Sequence, residues 1–172
     1  MNFNLVVSCP RGREKGAISE IRYFLEGLLK DRNLIIERSP ISGMIFVKTS
    51  FDPHFVIKKL YEFVEENPYQ FSFAIRFLPI DICTEADLEK IREAAKQISK
   101  LIGANEKFRI TVKKRDTQLS SHEIINVVAR EIDRNVDLEH PDKIVLIEII
   151  GHTAFFSVLE NEDLILSIRK FQ

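Results

Sequence analysis

Five of the nine residues from Lys107 to Arg115 are basic: Lys107, Arg109, Lys113, Lys114 and Arg115, with no acidic residue among the nine. In an extended strand, residues two apart share a face about 7 Å apart. Phe108, Ile110 and Val112 then turn one way, and Lys107, Arg109, Thr111, Lys113 and Arg115 turn the other. A row of cations at that spacing matches the phosphate repeat of a nucleic-acid strand, where neutralisation and counterion release would supply the affinity. A solvated strand face whose lysines discourage edge pairing fits the row equally well. Ser120 and Ser121 follow as a helix start, whose free N–H groups and positive dipole end suit an anion.

Residue types that could do covalent chemistry are present but dispersed. His54, His122, His140 and His152 lack Cys or His neighbours at zinc-ligand spacing. No H-x-E with P-C-x-x-C of a zinc deaminase occurs. Cys9 and Cys83 give no disulfide framework, and neither stands in a catalytic frame: Cys83 has Asp81 beside it but no His. G-x-G-x-x-G is absent, and the loop GREKG lacks the spacing of a phosphate-cradling loop. The expectation is a chain with no catalytic residue, no metal and no cofactor.

The 172 residues are 45% hydrophobic and 30% charged, a balance that supports a packed core and argues against disorder. Formal net charge is -1, below the range of a general nucleic-acid binder. The cations are unevenly spread: residues 1 to 78 carry a net +2 and residues 79 to 172 a net -3. The cluster at 107 to 115 therefore lies in the more acidic half and needs a local explanation. No run reaches the ~18 apolar residues of a membrane span, and the N-terminus lacks signal-peptide flanks. A cytoplasmic location is expected.

The first half alternates strands and helices. FNLVVS (3–8) reads as a strand, and the loop CPRGREKG leads to a helical pattern over 14–30 with Ile18, Ile21, Leu25, Leu28 and Leu29 on one stripe. Two strands, 34–37 and 44–49, flank the turn-like RSPISG. Asp52 caps a helix with Pro53 at its first position, Phe55, Leu60, Phe63 and Val64 form its buried stripe, and Asn67-Pro68 stops it. FSFAIRF (71–77) reads as the last strand. The order βαββαβ is that of a ferredoxin-like unit.

A domain boundary is expected within LPIDICTE, giving a ferredoxin-like domain over 1–78 and a second α/β domain over 79–172. In the second, Thr84 caps a helix over 85–101, and 107–113 is a strand. Ser120 and Glu123 form a capping box before Ile124, Val128 and Ile132. KIVLIEII from Lys143 is a central strand buried on both faces. TAFFSVLE and LILSIRK close the domain as two further strands.

FRITVKKR, the helix SSHEIINVVAREI, the connection VDLEHPDKIVLIEII and the closing AFFSVL, taken in order, resemble the THUMP domain over residues 76 to 170. THUMP domains usually follow a ferredoxin-like domain, as residues 1 to 75 read independently. The resemblance implies a grip on the acceptor stem and 3′ end of tRNA, with Lys113, Lys114 and Arg115 at the position of the family's basic strand end. Arg109 and Lys107 extend that row by periodicity. Arg11, Arg13 and Lys15 join it on charge and exposure alone. The family's catalytic partners, a methyltransferase, a thiouridylase or a deaminase, each need a long additional domain. A ferredoxin-like plus THUMP chain without one resembles the adaptor that presents tRNA to a separate 4-acetylcytidine-forming acetyltransferase. A non-RNA interaction or small-molecule regulatory module built on the ferredoxin-like sheet is the alternative.

Overall fold

A computed structural model describes residues 2–172. Two compact units divide the chain: Phe3–Pro79 together with Asp163–Gln172, and Ile80–Glu162. Both are mixed α/β layers, the first ferredoxin-like.

In the first unit, β1 (Leu5–Ser8), β2 (Ile35–Arg38), β3 (Met44–Lys48) and β4 (Arg76–Pro79) pair antiparallel in the order β2-β3-β1-β4, and β9 (Leu166–Ser167) adds to the β4 edge. Leu5 and Val7 of β1, Ile45 and Val47 of β3 and Phe77 of β4 alternate onto one face of the sheet. There they pack with Ala17 and Ile21 of α1 (Glu14–Arg22) and with Val56, Ile57, Leu60 and Val64 of α2 (Pro53–Glu66). Asp52 caps α2 as expected, its carboxylate accepting from the His54 N–H at 3.0 Å. The buried stripe of α2 differs from the expectation. Val56 and Ile57 point inward while Phe55 is exposed, its ring edge-on to Phe51 and under the Lys59 ammonium at 5.6 Å.

The helix over 14–30 is α-helical only to Arg22 and widens into a π-helical stretch, Tyr23–Leu28. Leu29 N–H reaches back to Phe24 C=O at 2.9 Å, and the following Lys30 sits at φ 62. The chain then places Asp31, 1% exposed, beneath the end of β3. Its carboxylate accepts from the hydroxyls of Thr49 (2.5 Å) and Ser50 (2.6 Å) and from the N–H groups of Ser50 (2.9 Å) and Asn33 (3.2 Å).

FSFAIRF is not a strand over most of its length. The Glu20 carboxylate gathers the N–H groups of Ser72 (2.5 Å), Phe73 (3.0 Å) and Ala74 (2.8 Å), so these amides are unavailable to a ladder and β4 starts only at Arg76. This brings the Phe73 ring against α1 at Gly16. A Cβ at Gly16 would lie 2.6 Å from Phe73 Cε2, well inside van der Waals contact. Alanine is the better helix former by about 1 kcal/mol, yet Gly16→Ala is expected to destabilise the protein by about 1–3 kcal/mol through overpacking. Thermal unfolding checks this, and a stabilised variant would mean that Phe73 swings aside at little cost.

In the second unit, LPIDICTE contains a strand, β5 (Ile82–Glu85), where a helix cap at Thr84 was expected. Thr84 lies in the ladder opposite Ala154, and Asp87 is the cap, accepting the N–H groups of Glu89 (3.0 Å) and Lys90 (3.1 Å) at the start of α3 (Leu88–Ser99). The sheet order is β5-β8-β7-β6, with β6 (Phe108–Arg115) at the edge, β7 (Lys143–Ile150) central and β8 (Thr153–Leu159) between β7 and β5. β6 and β7 run parallel and are joined through α4 (Ser121–Glu131), a βαβ crossover. Val145, Ile147 and Ile149 of β7 meet Ile91, Ala95 and Ile98 of α3 and Ile124 and Val128 of α4 in one core.

LILSIRK belongs to the other sheet. Only Leu166–Ser167 is strand, paired with Phe77 and Arg76 of β4, and Ile168–Phe171 is a 3₁₀ turn. The last residues thus return to the first unit, whereas the expectation placed them in the second. No helix among the described residues is long and apolar enough to cross a membrane.

Candidate nucleic-acid interface

β6 pairs with β7 without interruption from Phe108↔Lys143 to Arg115↔Ile150. Along it, burial falls from Phe108, which is 1% exposed, to Lys113, Lys114 and Arg115, which are all exposed. The cause is positional. Phe108 lies in the core beneath the two helices, whereas the last three residues reach the C-terminal rim of the sheet. At that rim the chain turns through Asp116 at φ 53, a left-handed conformation that Asp tolerates better than most residues. Thr117 Oγ1 accepts from the Leu119 N–H (3.2 Å), and Ser120 caps α4 through the Glu123 N–H (3.4 Å). The capping box expected at Ser120 is therefore present on its Ser side.

The three cations do not form a single row. Lys113 and Arg115 share the parity of Arg109 and Thr111. Lys114 shares that of Ile110 and Val112, and its Nζ donates to the Leu119 carbonyl at 3.0 Å. Lys114 thus leans toward the loop entering α4, and the basic end spans both faces of the strand. None of the three forms an ion pair among the described residues.

Arg109 and Lys107 sit differently. The Arg109 guanidinium is paired with Glu162 at 3.1 Å and donates to the Leu138 carbonyl at 3.3 Å, with 27% of its side chain exposed. Lys107 is exposed, near Asp137, whose carboxyl lies below the usual range because it accepts the N–H groups of His140 and Glu139, with a smaller contribution from Lys107. Next to them, Lys143 pairs with Glu106 (2.9 Å) and Glu160 (3.5 Å), which raises its ammonium and lowers the Glu106 carboxyl. The start of β6 is therefore charge-compensated and its end is not.

Arg11 and Arg13 lie in the first unit, on the exposed loop from β1 into α1, whereas Lys15, expected on that loop, is exposed in the first turn of α1. That loop is held from below by Glu14, which accepts from Gly43 N–H (2.7 Å) and Ser42 Oγ (3.0 Å). Its carboxyl falls to about 2, chiefly through backbone N–H bonds, its own and that of Gly43. Gly43 has φ +85, and a Cβ there would lie 2.7 Å from Cys9 O, so only glycine serves. The structure thus divides the basic residues into one set per unit.

The rim of the second unit also holds residues that charge counting overlooks. A cleft of about 420 Å³ is lined by Ala86, Asp116, Thr117, Gln118, Leu119, Gly151 and His152. Gly151 closes the turn after β7 at φ +60, and its N–H bonds to the carbonyl of Arg115 at 2.9 Å. The cleft therefore opens directly beside the basic strand end. Thr-Gln-Leu after KKRD carried the signal of a side-chain-closed turn, but nothing in the sequence brought Gly151-His152 to it. Among the described residues no group of three or more His, Cys, Asp and Glu side chains could hold a metal ion.

Against known proteins, residues 85–159 match the THUMP domain. The uncharacterized protein MJ0421 of Methanocaldococcus jannaschii is 26% identical over 154 residues, which are 87% of this chain and 40% of that protein. Among solved structures, PH1313 from Pyrococcus horikoshii superposes with a TM-score of 0.67 at 23% identity, over 94% of this chain and 56% of its own. TrmN from Thermus thermophilus does so at 0.56 and 14%, over 92% and 45%. A 4-thiouridine synthetase solved with RNA and ATP does so at 0.57 and 11%, over 96% and 42%. These superpositions describe a shared fold. This chain spans less than two thirds of each of these proteins.

Proposed function

We propose that this chain, whose residues 85–159 match the THUMP domain, binds tRNA at the acceptor stem and 3′ end and presents it to a separate modification enzyme. The single observation that carries the RNA reading is the uncompensated basic end of β6. Lys113, Lys114 and Arg115 are exposed, without ion pairs among the described residues, and stand beside a rim cleft inside the matched domain. Cations left unpaired at the end of a rigid strand gain most from a polyanion, because no internal ion pair has to be broken first. The 4-thiouridine synthetase that shares this fold was crystallised in complex with RNA, which supports the same reading.

The adaptor role, with catalysis supplied by a 4-acetylcytidine-forming acetyltransferase, rests on the resemblance of a ferredoxin-like plus THUMP pair to such adaptors. In that scheme this chain supplies grip and distance, and the partner supplies the acetyl donor and the chemistry. The test is filter binding of folded tRNA against an unstructured single strand of equal length at about 0.15 M salt. Tighter binding of the folded tRNA is the expected result, and equal binding would overturn the RNA-grip reading. Co-purification with an acetyltransferase, and acetylation of tRNA only when both proteins are present, would separately support the adaptor role. Acetyl transfer by this chain alone would reject it.

A further inference from the structure

Among the described residues β6 has one strand partner along its whole length, and its outer edge is met at only one point. There Phe108 N–H donates to Asn135 C=O (3.0 Å) and Phe108 C=O accepts from Asp137 N–H (3.0 Å), a single parallel bridge opposite Val136. Asp137 then lifts the chain away, because its carboxylate accepts the N–H groups of Glu139 and His140 and so closes a local turn. Successive residues of a strand bond to alternate sides. The carbonyls of Lys107 and Arg115 bond inward, to Asp142 and Lys143 and to Gly151, while Phe108 bonds outward. Ile110, Val112 and Lys114 therefore aim their amides and carbonyls outward, where no backbone group meets them among the described residues.

Edge strands are normally blunted by proline, bulges, shortness or scattered lysines. β6 shows none of the first three: its eight residues are in unbroken register with β7. Its centre is Ile110-Thr111-Val112, and its cations are gathered at one end. At the other end Val136 and Leu138 are 58% and 70% exposed. The edge thus offers main-chain groups along its middle, apolar side chains at its start and positive charge at its finish. Outward carbonyls at the strand repeat require evenly spaced N–H donors. A peptide backbone has them and a phosphodiester backbone does not.

We propose that the outer edge of β6 docks an extended acidic segment of a partner protein as a fifth strand of this sheet. Following the direction of residues 135–137, the segment runs parallel to β6. It bonds to Ile110, Val112 and Lys114, sets apolar side chains against Ile110 and Val112, and brings carboxylates at its C-terminal end to Lys113 and Arg115. The proposal stands on the strand edge and does not depend on the tRNA reading.

The probe is a synthetic peptide, Val-Thr-Val-Thr-Val-Glu-Glu-Glu, with a Lys-ended version as control, titrated into isotope-labelled full chain. Amide exchange of Ile110, Val112 and Lys114 is expected to slow about tenfold or more with the acidic peptide and not with the basic one. Val112→Pro removes one outward N–H, leaves the β7 ladder and every charge intact, and is tolerated sterically at an edge. It is expected to weaken the acidic peptide about tenfold and leave tRNA affinity unchanged. Unchanged exchange at the three amides, or a folded Val112→Pro that binds the peptide like the parent, overturns the proposal. So does slowing of the same amides by a tRNA acceptor-stem duplex but not by the peptide, which would make RNA the occupant. If Val112→Pro does not fold, the exchange result on the parent decides alone.

Discussion

Replacing Lys113, Lys114 and Arg115 together by alanine is expected to weaken tRNA binding by about 10- to 100-fold at ~0.15 M salt and to flatten its log–log salt dependence by about 2 to 3. The size follows from three lost phosphate neutralisations, and the loss should be similar for different tRNA sequences because backbone contacts carry no base information. Stability should change little, within about 0.5 kcal/mol, since the only side-chain bond at stake among the described residues is that of Lys114 to the Leu119 carbonyl. Arg109→Ala is the comparison. Its guanidinium is already held by Glu162 and Leu138, so it should cost far less affinity. Filter binding over a salt series reads both variants. A triple variant that binds like the parent, with the same salt slope, would remove the basic strand end from the interface.

Asp31→Ala is expected to be the most damaging single substitution away from the hydrophobic cores, destabilising the protein by about 2–4 kcal/mol. The carboxylate is almost wholly buried and receives four hydrogen bonds, three of which, from Thr49 and Ser50, tie the end of the first helical segment to the end of β3. Removal leaves the hydroxyl of Thr49, a residue only 3% exposed, without the carboxylate it donates to. Burial alone would raise the Asp31 pKa, but the bonds from Ser50, Thr49 and Asn33 outweigh it and hold the carboxyl below its ordinary value. A folded-state pKa below the unfolded one contributes stability that is present above the unfolded value of about 3.9 and is lost as pH falls through the folded value. Denaturant midpoints measured downward from pH 6 should therefore fall below about pH 4, and the fall should be shallower in Asp31→Asn. An Asp31→Ala protein as stable as the parent would show that water replaces the carboxylate without cost.

The local chemistry of the chain was legible where one signal acted alone. Asp52-Pro53 and Ser120 open their helices as their types dictate, and the apolar run KIVLIEII is the central strand. Where two signals competed, a tertiary contact decided. FSFAIRF alternates like a strand, yet Glu20, some 50 residues earlier, takes three of its amides. Thr84 is an acceptable cap, but Asp87 accepts two N–H groups and Thr84 is left to the ladder. The basic strand was readable as a strand with two faces. Its division into a compensated start and a free end was not, because Glu162 meets Arg109 from 53 residues away. The rim cleft was equally hidden, since Gly151 and His152 reach Asp116–Leu119 only through the parallel pairing of β6 with β7.

The return of the final ten residues to the first unit makes that unit discontinuous in sequence, and this bears on how the protein is made. As the chain leaves the ribosome, β1 to β4 emerge first, but the β4 edge has no partner until residues 80–162 have also been synthesised. Closing a disordered loop of that length would cost roughly 4 kcal/mol in chain entropy. Folding of the intervening unit removes much of that cost, because its own ends are drawn together: Asp81 N–H donates to Phe156 C=O (2.8 Å) and its carboxylate accepts from Val158 N–H (2.7 Å). Ile168 N–H can then reach Ile75 C=O, and the Gln172 side-chain amide the carbonyls of Pro68 and Phe71. The unit encoded in the middle thus acts as an intramolecular template for completing the one encoded around it, and a lesion in its core would delay the assembly of both.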